Sequence, residues 1–304
     1  MSGSAGVPTV EARHIVKTYS SKKAVDDLSF TVHPGEILGL IGPNGSGKTS
    51  TIRILMDIIR PDSGAVLLFG GARTASTKRR LGYLPEERGL YRKLSVMDCI
   101  IYLASLLGME KPAAERRAGE LLERTGLAAW RERKVEALSK GMGQLVQFIV
   151  AVIHGPDLVI LDEPFSGLDP MNVELLKTMV GELKGQGKAI ILSTHGMGDV
   201  EELCDRVLMV NAGRAILYGD VREIRSRYGA NSILLDAAGE IGKIPGVIES
   251  RTRRGHVELI LAPGAAPQGI LEYLVHRGTV VRHFEAAAPS LNEIFLQVIE
   301  ARHA

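Results

Sequence analysis

The chain has 304 residues, of which 45% are hydrophobic and 24% are charged, a composition typical of a globular protein with a sizeable core. Its 37 Lys+Arg and 35 Asp+Glu leave a net charge of +2, so charge gives no argument for binding to nucleic acid. The two cysteines, Cys99 and Cys204, exclude a disulfide framework and a cysteine zinc site, and we expect both to be buried thiols.

The first two thirds of the chain predict a sheet with helices between its strands. Apolar and polar residues alternate over Ala24–Val32, which predicts a half-exposed strand, whereas the apolar run Glu36–Ile41 predicts a strand buried on both faces. Other strands are predicted at Val10–Tyr19, Ala65–Phe69, Leu158–Leu161, Ala189–Leu192, Arg206–Val210 and Arg214–Tyr218, the last two around a hairpin turn.

Helical patterns lie between these strands. Apolar residues at 52, 55, 56 and 59 predict a helix after the Gly-rich loop, which we expect to end at Pro61–Gly64. A second helix is predicted around residues 173–183, and strand, helix, strand is the order of parallel βαβ units. Residues 90–138 show helical periodicity without a clear strand and predict a helical insertion.

The pattern changes after about residue 230. Strands are predicted at Ser232–Asp236, Val247–Ser250, His256–Leu261 and Val280–Phe284, with helices at Ile270–His276 and from the capping-box sequence Ser290–Glu293 onward. Arg251, Arg253 and Arg254 lie on a predicted hairpin, and we interpret them as a solvated turn. The sequence thus predicts two domains, residues 8–228 and a small α+β domain at 230–304.

No segment reaches the ~18 consecutive apolar residues of a membrane-spanning helix, and the N-terminus has no signal-peptide pattern. We therefore expect any membrane role to come through a partner chain.

A phosphate-binding loop follows the buried strand. Its glycines let backbone N–H groups turn toward phosphate oxygens, the lysine reaches the β- and γ-phosphates, and the hydroxyl after it can ligate Mg²⁺. The predicted nucleotide-binding residues are Gly42, Pro43, Asn44, Gly45, Ser46, Gly47, Lys48, Thr49 and Ser50.

Two acids end the apolar strand Leu158–Leu161. Asp162 and Glu163 alone are weak evidence for a catalytic site, since many strands end in carboxylates. In a chain that also has a phosphate-binding loop, they are strong evidence for one. We assign Asp162 to Mg²⁺ and Glu163 to accepting a proton from the attacking water.

With these motifs the chain resembles the ATP-binding subunits of ABC transporters. Leu138–Met142 stands where that family has its L-S-G-G-Q signature, Ser166–Asp169 where it has its D-loop, and His195 where it has its switch histidine. Tyr19 stands where a family aromatic stacks on adenine. Simpler interpretations remain for single residues: Ser139 as a helix N-cap, Tyr19 as a strand aromatic and His195 as a core histidine.

The resemblance implies an α/β fold, a P-loop NTPase core with a mixed sheet and a helical subdomain, and a small C-terminal domain. It implies that Ser139 and Gly141 bind the γ-phosphate of ATP held by another subunit, that Asp169 links the two sites, and that His195 and Lys48 act with Glu163 in hydrolysis. It further implies ATP and Mg²⁺ as ligands, and a homodimer, or a pseudo-dimer with a paralogous subunit, that closes over two ATP. The partner would be a separate transmembrane permease, not nucleic acid, and the location would be cytoplasmic, on the inner face of the cell membrane.

The sequence departs from the family at two motifs. In the signature, Lys140 replaces a glycine, Met142 a glutamine and Leu145 a basic residue; Lys140 either adds a cation near the partner's nucleotide or, as we favour, faces solvent. In the Q-loop, Glu86 stands where glutamine is usual, and a carboxylate is a stronger Mg²⁺ ligand than an amide.

Two segments favour export. Pro85–Tyr91 and Pro289–Phe295 resemble single-cassette exporter subunits with a small C-terminal domain, for which the resemblance implies a role in dimerisation or regulation. Two other functions stay open: a soluble ABC-type ATPase that acts on nucleic acid or ribosomes, and a nucleotide switch without hydrolysis, which an ATPase assay would distinguish.

Overall fold

The computed structural model describes residues 6–87, 89–228, 232–238, 242–253, 256–262, 264–287 and 289–303. Their contacts form two compact units, one up to Gly219 and one from Asp220 onward. Among these residues, no helix is both long and apolar enough to cross a membrane.

The first unit contains nine strands and seven α-helices among the residues described. The strands are β1 (Val10–Tyr19), β2 (Lys22–Val32), β3 (Ile37–Ile41), β4 (Ser63–Leu68), β5 (Leu81–Leu84), β6 (Leu158–Asp162), β7 (Ala189–Thr194), β8 (Arg206–Asn211) and β9 (Arg214–Asp220). The helices are α1 (Lys48–Leu55), α2 (Ala75–Lys78), α3 (Val96–Leu106), α4 (Lys111–Arg124), α5 (Lys140–Val152), α6 (Pro170–Gly185) and α7 (Met197–Leu203).

The central sheet has six strands in the order β5-β6-β7-β3-β8-β9. The first five are parallel, and every residue of β3, β6 and β7 is buried, which confirms the burial predicted for β3. The predicted turn between β8 and β9 is confirmed, since Ala212 and Gly213 take φ angles of 47° and 81°, the positive values that a two-residue hairpin turn requires.

A second, antiparallel sheet has the order β2-β1-β4. Leu28, Phe30 and Val32 of β2 are buried while Ser29 is exposed, so the predicted alternation is confirmed. The buried face of this sheet joins α1 and the central sheet in one apolar core that includes Ile15, Leu40 and Ile52.

Residues 90–138 are helical, as their periodicity predicts. They contain α3, α4 and short 3₁₀ turns at Ala128–Trp130 and Val135–Ala137. Both cysteines are free and buried, Cys99 in α3 and Cys204 after α7, and burial raises the pKa of each thiol.

One local prediction is wrong, and one strand has no prediction. Helix α1 ends at Leu55, well before Pro61, because Asp57 takes a left-handed φ of 58° and the chain leaves the helix there. Strand β5 was not predicted; its Gly82 packs so closely that a Cβ there would lie 2.1 Å from Ala151 O.

The second unit contains a four-stranded antiparallel sheet. Its elements are α8 (Val221–Arg227), β10 (Ser232–Ala238), β11 (Val247–Arg253), β12 (His256–Leu261), α9 (Pro267–His276), β13 (Val280–Ala287) and α10 (Leu291–His303), with sheet order β11-β12-β10-β13. The capping box is confirmed: Ser290 N donates to Glu293 Oε2 at 2.9 Å and Glu293 N donates to Ser290 Oγ at 3.3 Å. The predicted turn at Arg254 lies outside the described residues.

Candidate functional site

The phosphate loop connects β3 to α1, and its glycines are required by close backbone contacts. Gly42 has a φ of 153°, and a Cβ on it would lie 2.1 Å from Val210 O. Gly47 has a φ of 113°, and a Cβ on it would lie 2.2 Å from Ala24 O. No other residue fits either position without displacing backbone, so both positions require glycine.

The hairpin turn between β8 and β9 is hydrogen-bonded to this loop. Gly213 N donates a hydrogen bond to Ser46 O at 2.8 Å, and Asp26 N of β2 donates to Gly213 O at 2.9 Å. Arg214 Nε binds Asp26 Oδ2 at 2.7 Å. One turn thus ties the phosphate loop to the neighbouring strand.

A cavity of about 410 Å³ opens beside the loop. It is lined by Lys22, Ala24, Asn44, Gly45, Gly47, Lys48, Thr49, Ser50, Glu86, Asp162 and Glu163. The structure therefore brings together six of the nine predicted phosphate-loop residues, both strand-end acids and Glu86, whereas Gly42, Pro43 and Ser46 are not among the lining residues. The buried Lys48 donates its ammonium to Gly42 O at 2.7 Å and Pro43 O at 3.3 Å.

One residue of the cavity lining, Asp162, has a buried oxygen, Oδ2, with no hydrogen-bond partner among the residues described. Burial raises the pKa of Asp162; the Ser193 hydroxyl and Lys48 lower it, and the Glu86 and Glu163 carboxylates raise it. A cation would favour the charged form of this carboxylate, and Lys48 offers an ammonium to phosphate oxygens.

The described residues contain no group of three or more His, Cys, Asp or Glu side chains that could hold a metal by themselves. Mg²⁺ commonly binds one or two carboxylates together with phosphates and water. Thr49, Asp162 and Glu86 all line the cavity and supply a hydroxyl and two carboxylates.

Glu163 follows β6 and points its carboxylate toward the end of β7. His195 Nδ1 lies 2.9 Å from Glu163 Oε1, and Thr194 Oγ1 donates to Glu163 Oε2 at 3.5 Å. The Glu163 side chain is largely buried, whereas the His195 ring is exposed, which excludes the core-histidine interpretation. The pair is arranged to orient a carboxylate at the cavity wall.

The predicted signature lies away from the cavity. Ser139 caps α5, accepting a hydrogen bond on Oγ from Met142 N at 3.2 Å, so its N-cap interpretation is confirmed. Gly141 lies against the D-loop, since a Cβ on it would be 3.2 Å from Gly167 O. Lys140 is exposed, as we favoured. Asp169 caps α6 by accepting from Asn172 N at 3.1 Å, and this bond lowers the pKa of Asp169.

Tyr19 is not among the residues that line the cavity. Its side chain is 44% exposed, and Lys17 Nζ lies 5.8 Å from the ring centroid. Lys22, its partner in the β1–β2 register, lines the cavity instead, together with Ala24. Neither residue is among those predicted from the sequence, where the one available signal is a basic residue soon after the strand that carries Tyr19.

Comparisons with known proteins identify the family of the chain. The family model for ABC transporters matches residues 25–166, and the model for the C-terminal domain of DrrA1-3-like ATP-binding proteins matches residues 219–299. The chain is 39% identical over 291 residues to the uncharacterized ABC transporter ATP-binding protein YhaQ of Bacillus subtilis, covering 95% of this chain and 97% of YhaQ.

Two further relatives extend this result. The Nod factor export ATP-binding protein I of Burkholderia pseudomallei is 36% identical over 219 residues, which is 71% of this chain and 72% of that protein. A solved structure of an ATP-binding subunit of an ABC transporter superposes with a TM-score of 0.68 at 33% identity, covering 73% of this chain and 93% of that one. The chain therefore belongs to the ABC transporter family, as an ATP-binding subunit that hydrolyses ATP to power transport through a separate membrane subunit.

Proposed function

We propose that two copies of this chain, or one copy and a paralogous subunit, close over two Mg·ATP and drive export through a transmembrane permease. One observation supports the proposal of a dimer. Ser139, Gly141 and Asp169 lie outside the cavity that contains Lys48 and Glu163. If the signature binds nucleotide, it therefore does so in the site of another chain.

Within one site, the phosphate loop and Lys48 hold the triphosphate, and Thr49, Asp162 and Glu86 hold Mg²⁺. When bound, Mg²⁺ neutralises charge on the phosphate oxygens. Glu163 accepts the proton of the attacking water on its carboxylate, and His195 keeps that carboxylate directed at the cavity through the 2.9 Å contact. Tyr19, whose register partner Lys22 lines the cavity, is proposed to contact adenine.

The direction of transport is supported by similarity. The Burkholderia relative is an export protein by its name, and the second unit matches the C-terminal domain of DrrA1-3-like proteins. We assign residues 8–228 to ATP hydrolysis, with residues 90–138 as a helical subdomain, and residues 230–304 to dimerisation or regulation. The permease places the chain at the inner face of the cell membrane.

Measuring ATPase activity with Mg²⁺, for the wild type and Glu163→Gln, tests the proposal. The variant should bind ATP, lose about 10²-fold or more in rate, as expected for loss of a general base, and accumulate as an ATP-dependent dimer on size exclusion. Near-normal turnover by Glu163→Gln would show that Glu163 is not the general base. A wild type that stays inactive even with its permease would leave the nucleotide switch as the better interpretation.

A further inference from the structure

Two buried glutamines of α5 bind the backbones of the two loops that carry acidic cavity residues. Gln144 Nε2 donates to Pro164 O at 3.2 Å and to Glu163 O at 3.4 Å, and Gln147 Nε2 donates to Glu87 O at 3.2 Å. Only 6% and 4% of the two residues' surfaces are exposed. A buried amide donor left without a partner keeps the full penalty of its desolvation, so these bonds resist movement of the loops.

The backbone of Glu163 needs this support. Its φ of 49° lies in the left-handed region, which is strained for a non-glycine residue and persists only where neighbours hold it. Glu163 N donates to Ser193 O at 2.9 Å, and Glu163 O accepts from Ser166 N at 3.2 Å and from Gln144 Nε2 at 3.4 Å. Because the N–H and the C=O are both bound, the direction in which the Glu163 side chain leaves the backbone is fixed from two sides.

Gln147 serves the other loop in the same manner. Its donor group binds the carbonyl of Glu87, the residue next to Glu86, while its Oε1 has no hydrogen-bond partner in the described part of the chain. The bond to Glu87 therefore determines the orientation of this amide.

Helix α5 begins at the signature. Ser139 caps its first turn, Gly141 touches the D-loop, and Gln144 and Gln147 follow within the next two turns of a helix that is buried over most of its length. A hydrogen-bonded helix transmits a displacement of one end to side chains further along it, since its own backbone is rigid.

We propose that Gln144 and Gln147 are positioning residues that link the signature to the hydrolytic carboxylates of the same chain. Gln144 fixes the backbone orientation of Glu163, and Gln147 fixes the position of the Glu86 loop. Docking of the signature on a second subunit would therefore change the arrangement of the acidic residues in the first subunit's own cavity. This inference rests on the function proposed above.

Gln144→Met and Gln147→Met test the assignment, and each is the matched control of the other. Both remove one buried amide from the same helix and keep a flexible side chain of similar size. In the full-length chain without nucleotide, Gln144→Met should speed amide hydrogen exchange in residues 162–168 and leave residues 81–87 unchanged. Gln147→Met should do the reverse. If both variants speed exchange in both segments equally, the glutamines provide only general stability and the proposal is wrong.

Kinetics and binding give a second readout. Gln144→Met should lower kcat about tenfold or more by misplacing Glu163, while affinity for a fluorescent ATP analogue changes by less than about twofold. In a Glu163→Gln background it should leave the ATP-dependent dimer intact, because dimer closure does not use the Glu163 carboxylate. An unchanged kcat in a chain whose wild type hydrolyses ATP would overturn the role of Gln144.

The hydrogen-exchange result does not depend on hydrolysis. A wild type without ATPase activity would contradict the proposed function. The hydrogen-exchange rates of residues 162–168 and 81–87 would still test whether Gln144 and Gln147 hold those segments in place. If Gln144→Met fails to fold, Gln144→Asn replaces it, since the shorter side chain keeps the amide but loses reach to Pro164. The same segment-specific exchange is then expected, and its absence in a folded variant would contradict the proposal.

Discussion

The side chain of Lys140 lies across Gly167, so closely that a Cβ on Gly167 would come within 2.7 Å of Lys140 Cδ and Cε. Gly167 also has a φ of 76°, which favours glycine. The signature and the D-loop of one chain are thus packed together at a position where this sequence departs from the usual signature.

Gly167→Ala should destabilise the chain by about 1–2 kcal/mol, because a left-handed alanine is strained and its methyl group displaces the Lys140 stem. In a Lys140→Gly background the steric part disappears, so the second substitution should cost less there. Thermal or denaturant unfolding of the two single variants and the double variant measures the coupling. Strictly additive losses in the free energy of unfolding would mean that the contact between Lys140 and residue 167 does not contribute to stability.

His195→Ala should lower kcat by about 10- to 100-fold with little change in ATP affinity. The substitution removes the ring that lies 2.9 Å from Glu163 Oε1, so the carboxylate loses its orientation while the phosphate loop is untouched. Steady-state kinetics and equilibrium binding of a fluorescent ATP analogue separate the two effects. His33→Ala, between β2 and β3 and away from the cavity lining, is the control and should behave like the wild type.

Glu86→Gln should raise the Mg²⁺ concentration needed for half-maximal activity about three- to tenfold. The change preserves shape but replaces an anionic oxygen at the cavity wall with a neutral amide, which is a weaker Mg²⁺ ligand. A Mg²⁺ titration at saturating ATP measures it. Glu87→Gln alters the neighbouring carboxylate, which does not line the cavity, and should leave the titration unchanged. Identical curves for the wild type and Glu86→Gln would exclude Glu86 as a metal ligand.

Lys22→Ala should weaken ATP binding about three- to tenfold, and the difference should shrink as salt is added, since a partly exposed cation contributes ~1 kcal/mol that ions screen. Lys22 lines the cavity, whereas Lys23 turns away and binds Asp26 Oδ1 at 2.9 Å. Lys23→Ala is therefore the matched control. Equal affinities for both variants, measured by titration with a fluorescent ATP analogue, would show that Lys22 makes no contact with nucleotide.

The parts of the site that local sequence determines were predictable. The phosphate loop at Gly42–Thr49 is a contiguous motif whose spacing carries its geometry, and Asp162 and Glu163 follow a strand whose unbroken apolar run identifies it. The second unit's strands and its capping box at Ser290 were predictable for the same reason, because alternation and capping act over a few residues.

Features that depend on distant contacts were not predictable. The apolar spacing continues to Ile59 although α1 ends at Leu55, because the left-handed backbone at Asp57 leaves no trace in a hydrophobic pattern. Whether Tyr19 or Lys22 lines the cavity depends on the register of β1 and β2, which a single strand does not reveal. The bonds from Gln144 to the Glu163 loop join residues on separate elements, and a lone buried glutamine gives no sign of its partner.

The support of the phosphate loop by Gly213 has a consequence for biosynthesis. Ser46 receives its bond from a residue that the ribosome adds more than 160 positions later, by the difference between the two residue numbers. A nascent chain that has exposed the whole Gly-rich motif still lacks the turn that braces it. Nucleotide binding should therefore arise late in translation, once β8 and β9 have emerged, and a stalled chain that ends before Gly213 should carry the motif without a mature site.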